Sequence, residues 1–583
     1  MALNPYYEDE LSYLRELGRD FALANPKLAG FLGRDASDPD VERLLEGFAF
    51  LVARLRQRLD TEYPEFVHGL LRLIWPHYLR PIPPITMVQF ETAAASSPKN
   101  VVIAAGTGVG SRPIEGTSCV FRTCYPVEVL PLVITDPQLE SRSTSGRLIF
   151  QLKVKGLYTF ACLEGGRLRL FFETEREPQV GRILLTWLMR NFRQCTIAVA
   201  GKTVLTLGPE AIRPVGFGEN DAILPWPVNS FAGFRLMQEY LAYPNKYLFV
   251  DVVGLEPLAG VEGGACTFTF DFSRPFPDHI RVSDGQIRLN CTPAINLVAH
   301  EAAPIRIERS KTEYRVMPAG GTANYTIHSI NQVVGYVQGQ PQRIEYVPFD
   351  SLRHDLPGNA REQLFFRERV RPAVVGRGVD HYVSFVNRLD QHKSPRIEVA
   401  SLHLTCSNGP LADRLPVGSV DQGTPDTPQS VTFTNITGIA SEVQPPIGDN
   451  LTWKLVANLA RNYGALTDVD AIKTVISAYD FKAAQDTQAR RRLELLLEGL
   501  DSFASSDGNT VLRGIPARVR NIELSLNESK IGGEGELFLF GSVLDAFFAG
   551  YAGINMLHQF SVRGTETSVS YKWPARTGTA RTL

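Results

Sequence analysis

Several short motifs bring reactive residue types together, and each can be tested by the spacing its chemistry requires. Gly201-Lys202-Thr203 ends like a phosphate-binding loop, but that loop needs a glycine five residues earlier, where Thr196 stands. Without it the backbone cannot cradle a phosphate, and the segment Thr196–Leu207 reads as a hairpin turning at Gly201-Lys202. Gly106-Thr107-Gly108-Val109-Gly110 lacks the third glycine and the following helix of a dinucleotide fingerprint, so a turn between strands suffices. His300-Glu301-Ala302-Ala303-Pro304 has proline where a zinc-protease helix needs its second histidine. Cys119 and Cys124 have no second pair at zinc-finger spacing, and His403 and Cys406 also lack partners; His403 is expected to face outward on a strand with Leu402 and Leu404. No G-x-S-x-G elbow occurs. Arg490-Arg491-Arg492 has no interleaved aromatic residues and reads as a solvated helix face rather than a nucleic-acid site. These readings nominate no catalytic, cofactor or metal residue and point away from an enzyme.

The patterned residues are instead apolar, and their chemistry is association. Tyr7, Leu11, Leu14, Leu17 and Phe21 recur at helical spacing up to Asn25-Pro26. A second helix is predicted from Asp38 as N-cap and Pro39 in the first turn, with the stripe Val41, Leu44, Leu45, Phe48, Leu51, Val52, Leu55 and Leu59. A third is predicted from Pro64 to the Trp75-Pro76 boundary. The two long stripes nominate Leu11, Leu14, Leu44, Leu51 and Leu55 as interface candidates, with packing inside the chain as the competing use. Leu537–Leu557 reads as one helix of about bilayer length. Its Ser542, Asp545 and Asn555, and the absence of basic anchors, argue for a buried or subunit-facing helix over a membrane span. Phe538, Phe547, Phe548 and Tyr551 would be its aromatic anchors if it meets a partner.

From Ile85 the apolar period changes from helical to two. Leu148, Phe150, Leu152 and Val154 alternate with polar residues, as do Cys266, Phe268, Phe270 and Phe272, which predicts half-buried strands. Helices carrying Ile183, Leu184, Trp187 and Leu188, and Phe234, Met237, Tyr240 and Leu241, interrupt them. Val417–Ser430, rich in Gly, Pro, Asp and Thr, is the clearest linker signal. Helices are predicted again around Leu451–Tyr463 and from a capping-box-like start at Thr467 with Asp470. The expected class is α+β: a helical N-terminal arm, strand-rich middle domains and a mixed helical C-terminal domain. The expected divisions are 1–84, 85–290, 291–440 and 441–583, the last an oligomerisation candidate.

At 583 residues the chain is long enough for roughly four domains of ~150 residues. Apolar residues make up 44% and charged residues 21%, which excludes wholesale disorder. A net charge of −2 gives no general attraction to nucleic acid or to an anionic membrane. The first ten residues have neither a basic nor an apolar leader region, so no secretory signal is expected. Seven thinly spread cysteines suit reduced thiols in a cytoplasm rather than a disulfide framework.

Pro5-Tyr6-Tyr7 with Glu10-Leu11, the run Pro39–Leu51, and the block Trp75-Pro76-His77-Tyr78-Leu79-Arg80-Pro81-Ile82-Pro83 resemble the TssF (VasA/ImpG) family of type VI secretion baseplate subunits. Cys291-Thr292-Pro293, Glu313-Tyr314-Arg315-Val316, Leu404–Asn408, Trp453-Lys454-Leu455, Phe547-Phe548 and Trp573 extend the likeness over nearly the whole chain; it thins over about 482–535. The resemblance implies a structural part similar to the wedge proteins of contractile phage tails. Its implied partners are TssG, a second copy of the same subunit, TssK, TssE, the spike hub and the sheath and tube proteins. It implies a cytoplasmic location, docked on the inner-membrane complex when assembled. A multidomain carbohydrate-binding or carbohydrate-processing β protein is the alternative class, since a strand-rich middle with scattered Trp and Asp would suit it.

Overall fold

A computed structural model describes residues 7, 8, 10–15, 17, 39–93, 100–447 and 468–578, apart from 157, 176, 228–229, 309, 338–342, 352–363, 374–377, 388–396, 513–514 and 552–555. Its principal helices are α1 (Pro39–Ile74), α2 (Pro178–Arg190), α3 (Ala232–Ala242), α4 (Val469–Tyr479), α5 (Thr487–Glu498) and α6 (Glu534–Tyr551). Helices hold 29% and strands 40% of the residues, an α+β chain with its strands concentrated in the middle.

Three expected boundaries move. The second and third predicted helices are one 36-residue helix, α1, which runs through Pro64. A proline removes one N–H from the ladder but leaves the hydrogen bonds on either side intact. The start of α4 is capped by Asp468, whose carboxylate accepts from the Ala471 N–H at 2.8 Å, one residue beyond the expected Thr467. α6 stops at Tyr551, and Leu557 opens a strand, Leu557–Gly564, rather than closing the helix. The helix expected around Leu451–Tyr463 lies outside the described residues.

The strand-rich middle is built from sheets that ignore the expected division at 290/291. A six-stranded sheet runs, in spatial order, Gln422–Gly423, Gly108–Gly110, Val120–Thr123, Cys291–Ile295, Ile85–Thr92 and Val431–Asn435. Ile85–Thr92 pairs antiparallel with both Cys291–Ile295 and Val431–Asn435, so one strand joins neighbours roughly 200 and 340 residues further along the chain. The expected linker Val417–Ser430 is part of this sheet's edge. Val420 is fully buried, and the Thr424 and Thr427 hydroxyls donate to the Gly108 carbonyl at 2.9 and 2.7 Å. Its turn-forming residues satisfy a sheet backbone instead of spanning solvent.

The predicted alternating strands form as expected. Gly146–Val154 pairs with Ala265–Phe272, and Cys266, Phe268, Phe270 and Phe272 all point inward. Phe192–Val199 and Lys202–Leu207 make the predicted hairpin beside Ala265–Phe272, with its turn at Ala200-Gly201, one residue before the expected Gly201-Lys202. Arg167–Phe172 and Phe249–Val253 centre a four-stranded sheet, and a larger one, eight-stranded, runs from Val298 to Ser407. A C-terminal sheet pairs Leu500–Leu512 with Ile515–Leu526, and the latter with Leu557–Gly564 in parallel. All seven cysteines are buried and free.

One continuous core joins the end of α1, the sheet around Ala265–Phe272, the four-stranded sheet, α2, α3, α4 and the C-terminal unit, from Leu71 to Trp573. α6 is its axle. Leu537, Leu539, Phe540, Val543 and Leu544 are essentially inaccessible, as expected for a helix apolar on all sides. Gly535 lets α6 approach α2: a Cβ there would lie 2.8 Å from the Arg182 Cβ and 3.0 Å from its carbonyl carbon. Phe547 packs edge-on to Phe234 and Phe231 of the α3 region, and Phe538 stacks on Trp573 of the C-terminal sheet. We therefore expect Phe547→Ala to cost about 3–5 kcal/mol of stability, seen as a lower unfolding midpoint in calorimetry; an unchanged midpoint would contradict this packing.

Candidate interaction surfaces

The two long apolar stripes near the N-terminus lie side by side. Residues between 7 and 17 are helical wherever they are described, and Arg15 reaches Glu42 of α1 at 2.8 Å. Tyr7, Leu11 and Leu14 are half-buried, while Tyr13 and Leu17 are exposed. On α1 the stripe divides into two faces. Val41, Leu45 and Val52 are half-buried, and Ala49 and Ala53 are fully buried. Leu44, Phe48 and Leu51, at spacings of four and three, are 74%, 58% and 59% exposed. Three large apolar side chains in a row on solvent are more than the scattered single exposures of an ordinary surface. The side chain of Leu55, next in that row, lies outside the described residues. Phe48 belongs to the predicted stripe but not to the nominated interface residues; its spacing of four from Leu44 and three to Leu51 is the signal that places it with them.

The candidates at the other end of the chain sit differently. Phe538, Phe547 and Phe548 are at most 4% exposed and are spent inside this chain; Phe548 meets Phe560 and Phe503. The expectation that they anchor a partner is corrected accordingly. An all-round apolar helix is covered by its own sheet and by α2 and α3 before any second subunit arrives. The side chain of Tyr551 lies outside the described residues. Asp545, the single charge in the middle of α6, is fully buried and paired with Arg576 at 2.8 Å, with His558 3.5 Å away.

The Trp75–Arg80 turn joins the arm to everything else. Pro76 opens a short 3-10 helix, Pro76–Leu79, which turns the chain out of α1. Trp75 packs edge-on to Phe234, His77 lies 3.8 Å from Trp226 between ring centres, and Tyr78 packs edge-on to Phe481 and Tyr479. Burial pushes His77 down to about 3. Just before the turn, Arg72 reaches the eight-stranded sheet: it donates to Asp350 at 3.1 Å and to the Glu368 carbonyl at 2.8 Å, and lies 3.6 Å from the Glu368 carboxylate. Burial opposes the Glu368 charge, but Arg72 and His381 hold its carboxyl down to about 2. His328 is pushed down to about 3 by burial and by Arg80, and His68 to about 4 by burial and by Arg72.

Motifs that suggested catalysis have structural uses. Gly108–Gly110 is a strand. His300 bonds the Ala319 carbonyl at 2.7 Å from the strand Val298–Glu301. His403 faces outward, as expected, and meets Glu301 at 2.5 Å. Arg491 pairs with Glu494 on the exposed side of α5. Among the described residues no group of three or more His, Cys, Asp or Glu is arranged to hold a metal ion. Among them, too, no helix is long and apolar enough to cross a membrane.

The family model for type VI secretion system TssF matches residues 1–580. The chain belongs to the TssF family. It is 29% identical to the type VI secretion system component TssF1 of Pseudomonas aeruginosa, over 99% of each chain. A chain in the cryo-electron microscopy structure of the type VI secretion system TssK–TssF–TssG baseplate subcomplex superposes with a TM-score of 0.70 at 25% identity, covering 92% of this chain and all of that one. A chain in the baseplate complex from the type VI secretion system gives a TM-score of 0.62 at 25% identity over 99% of this chain. The carbohydrate-binding alternative falls with these matches. The Trp75-Pro76-His77-Tyr78 block that carries the resemblance to TssF is the buried turn just described.

Two outcomes follow from the geometry. Because Leu44 and Leu51 face solvent, the double variant Leu44→Ala/Leu51→Ala should change the stability of the isolated chain by less than about 1 kcal/mol, measured by calorimetry. Folded-state values below the ordinary ~6.5 mean that His68, His77 and His328 bind fewer protons folded than unfolded. Their contribution is complete above about pH 6.5 and is lost as pH falls toward 3 to 4; Glu368 adds loss in the lower window from about 4.5 to about 2. The unfolding midpoint should therefore fall between pH 7 and pH 5, and less steeply in His328→Gln. A flat profile over that range would refute the assignment.

Proposed function

We propose that the chain is a structural subunit of the type VI secretion baseplate wedge, with no catalytic role. It assembles with TssG, a second copy of itself, TssK and TssE around the spike hub, and the ring so formed seeds the contractile sheath and tube. It works in the cytoplasm, docked at the inner-membrane complex. The whole-length family match supports the class, and the structures named for TssK–TssF–TssG and for the baseplate support TssG and TssK among these partners.

One observation of this chain carries the reading: the open face of α1 at Leu44, Phe48 and Leu51. Its side chains repeat once per helical turn, which is the spacing a second amphipathic helix needs to interlock with it. Leu11 and Leu14, half-buried beside α1, extend the same bundle. The arm is thus a pair of helices lacking part of its cover, and TssG with the second copy would supply the rest.

Co-expression with the neighbouring TssG-type protein and mass determination of the purified complex tests this. The expected product holds two of these chains per partner, and Leu44→Ser/Leu51→Ser should abolish it while the isolated chain melts as before. A monomer that ignores the partner, or a double variant that assembles normally, would overturn the assignment.

A further inference from the structure

Where the end of α1 meets the eight-stranded sheet there is a cavity of about 290 Å³. Arg72, Arg80, His328, Asp350, Glu368 and His381 face it. Part of this set is mutually satisfied. Arg72 serves both Asp350 and Glu368, and Nδ1 of His381 lies 2.8 Å from the Glu368 carboxylate. An ionised Glu368 keeps the His381 proton on Nδ1.

The remainder is not satisfied by the chain. Nδ1 of His328 and Nε2 of His381 are buried without a hydrogen-bond partner among the described residues, on side chains only 5% and 3% exposed. Burial works against the Arg80 guanidinium, which is offset only through space by Glu368, itself already engaged by Arg72 and His381. Two partnerless imidazole nitrogens from two strands and the Arg80 guanidinium from the Trp75–Arg80 turn thus face one cavity. Native interiors do not leave such groups unmet.

We propose that this cavity binds a small oxyanion of the phosphate or carboxylate class, with Arg80 as counter-charge and His328 as hydrogen-bond donor. The two carboxylates on its wall are both paired with Arg72, which reduces their repulsion of such a ligand. The volume lies just below the range of about 300–1,000 Å³ typical of sites for larger molecules, so it suits a group of four or five heavy atoms rather than a nucleotide. His328 donates from the tautomer protonated at Nδ1. The walls come from α1 and its following turn on one side and from the sheet on the other. A bound anion therefore bridges the arm and the strand-rich middle.

The test is a titration of the full chain with inorganic phosphate and, separately, with acetate, at constant ionic strength against chloride. Calorimetry should show a saturable rise in the unfolding midpoint for at least one of the two, and the comparison distinguishes tetrahedral from planar recognition. Arg80→Gln should weaken binding at least tenfold and Arg80→Lys less. Should Arg80→Gln not fold, the ring resonances of His328 and His381 in the unaltered chain report directly and should shift on titration. No effect beyond chloride, equal shifts in the unaltered chain and Arg80→Gln, or unmoved histidine rings would each overturn the site.

Discussion

The burial of one short turn, Trp75–Arg80, governs how the rest of the chain is used. α1 is a long helix with few buried side chains along its first half, and a helix of that kind has no fixed direction of its own. Its direction is set where Trp75, His77 and Tyr78 enter a box of aromatic rings from Trp226, Phe234, Tyr479 and Phe481. Those rings come from α3, α4 and the loops beside them, so the turn ties the N-terminal arm to two remote segments at once. Arg72, one helical turn earlier, fastens the same joint to the eight-stranded sheet through Asp350 and Glu368. Aromatic packing supplies the area, and the buried ion pairs fix the register.

The same division of labour holds at the other end. α6 is gripped by Phe231, Phe234, Phe560 and Trp573, but its rotation about its own axis is set by polar groups. Glu536 is buried, accepts from the Tyr240 hydroxyl of α3 and lies 2.6 Å from Arg182 of α2. Glu239, on α3, is equally buried and holds Lys246, while its other oxygen accepts from the Ile223 and Leu224 N–H groups at 2.8 and 3.0 Å. Moving α6 by one residue would strand the Glu536 charge in an apolar layer, a far larger penalty than any loss of van der Waals contact. The three helices thus form a rigid block, and the only large apolar row left on solvent among the described helices is on the arm.

That contrast gives the chain its mechanical character. A subunit of a contractile machine must present association surfaces without being liable to aggregate through its own core. Here the most apolar helix is fully enclosed, and the amphipathic arm carries Leu44, Phe48 and Leu51 among charged neighbours such as Arg43, Glu42 and Glu46.

Much of this was legible in the residues themselves. Alternation marked the strands around Leu148 and Cys266, helical spacing marked α1, α2 and α3, and missing glycines and histidines disposed of the catalytic motifs, because each of these depends on a few neighbouring positions. The Trp75-Pro76-His77-Tyr78 block pointed to the family, though not to its role as the joint. What local pattern does not contain is the neighbour. Whether an apolar row is covered by its own chain depends on segments hundreds of residues away, so Leu44 and Phe548 look alike in sequence and end on opposite sides of the surface. The strand Ile85–Thr92 likewise carries no mark of its partners at 291 and 431, which abolish the boundary drawn between them. Sequence determined the elements, the absence of familiar catalytic spacing and the family; tertiary structure decided which faces remained open, because burial is a property of pairs of segments and not of either one.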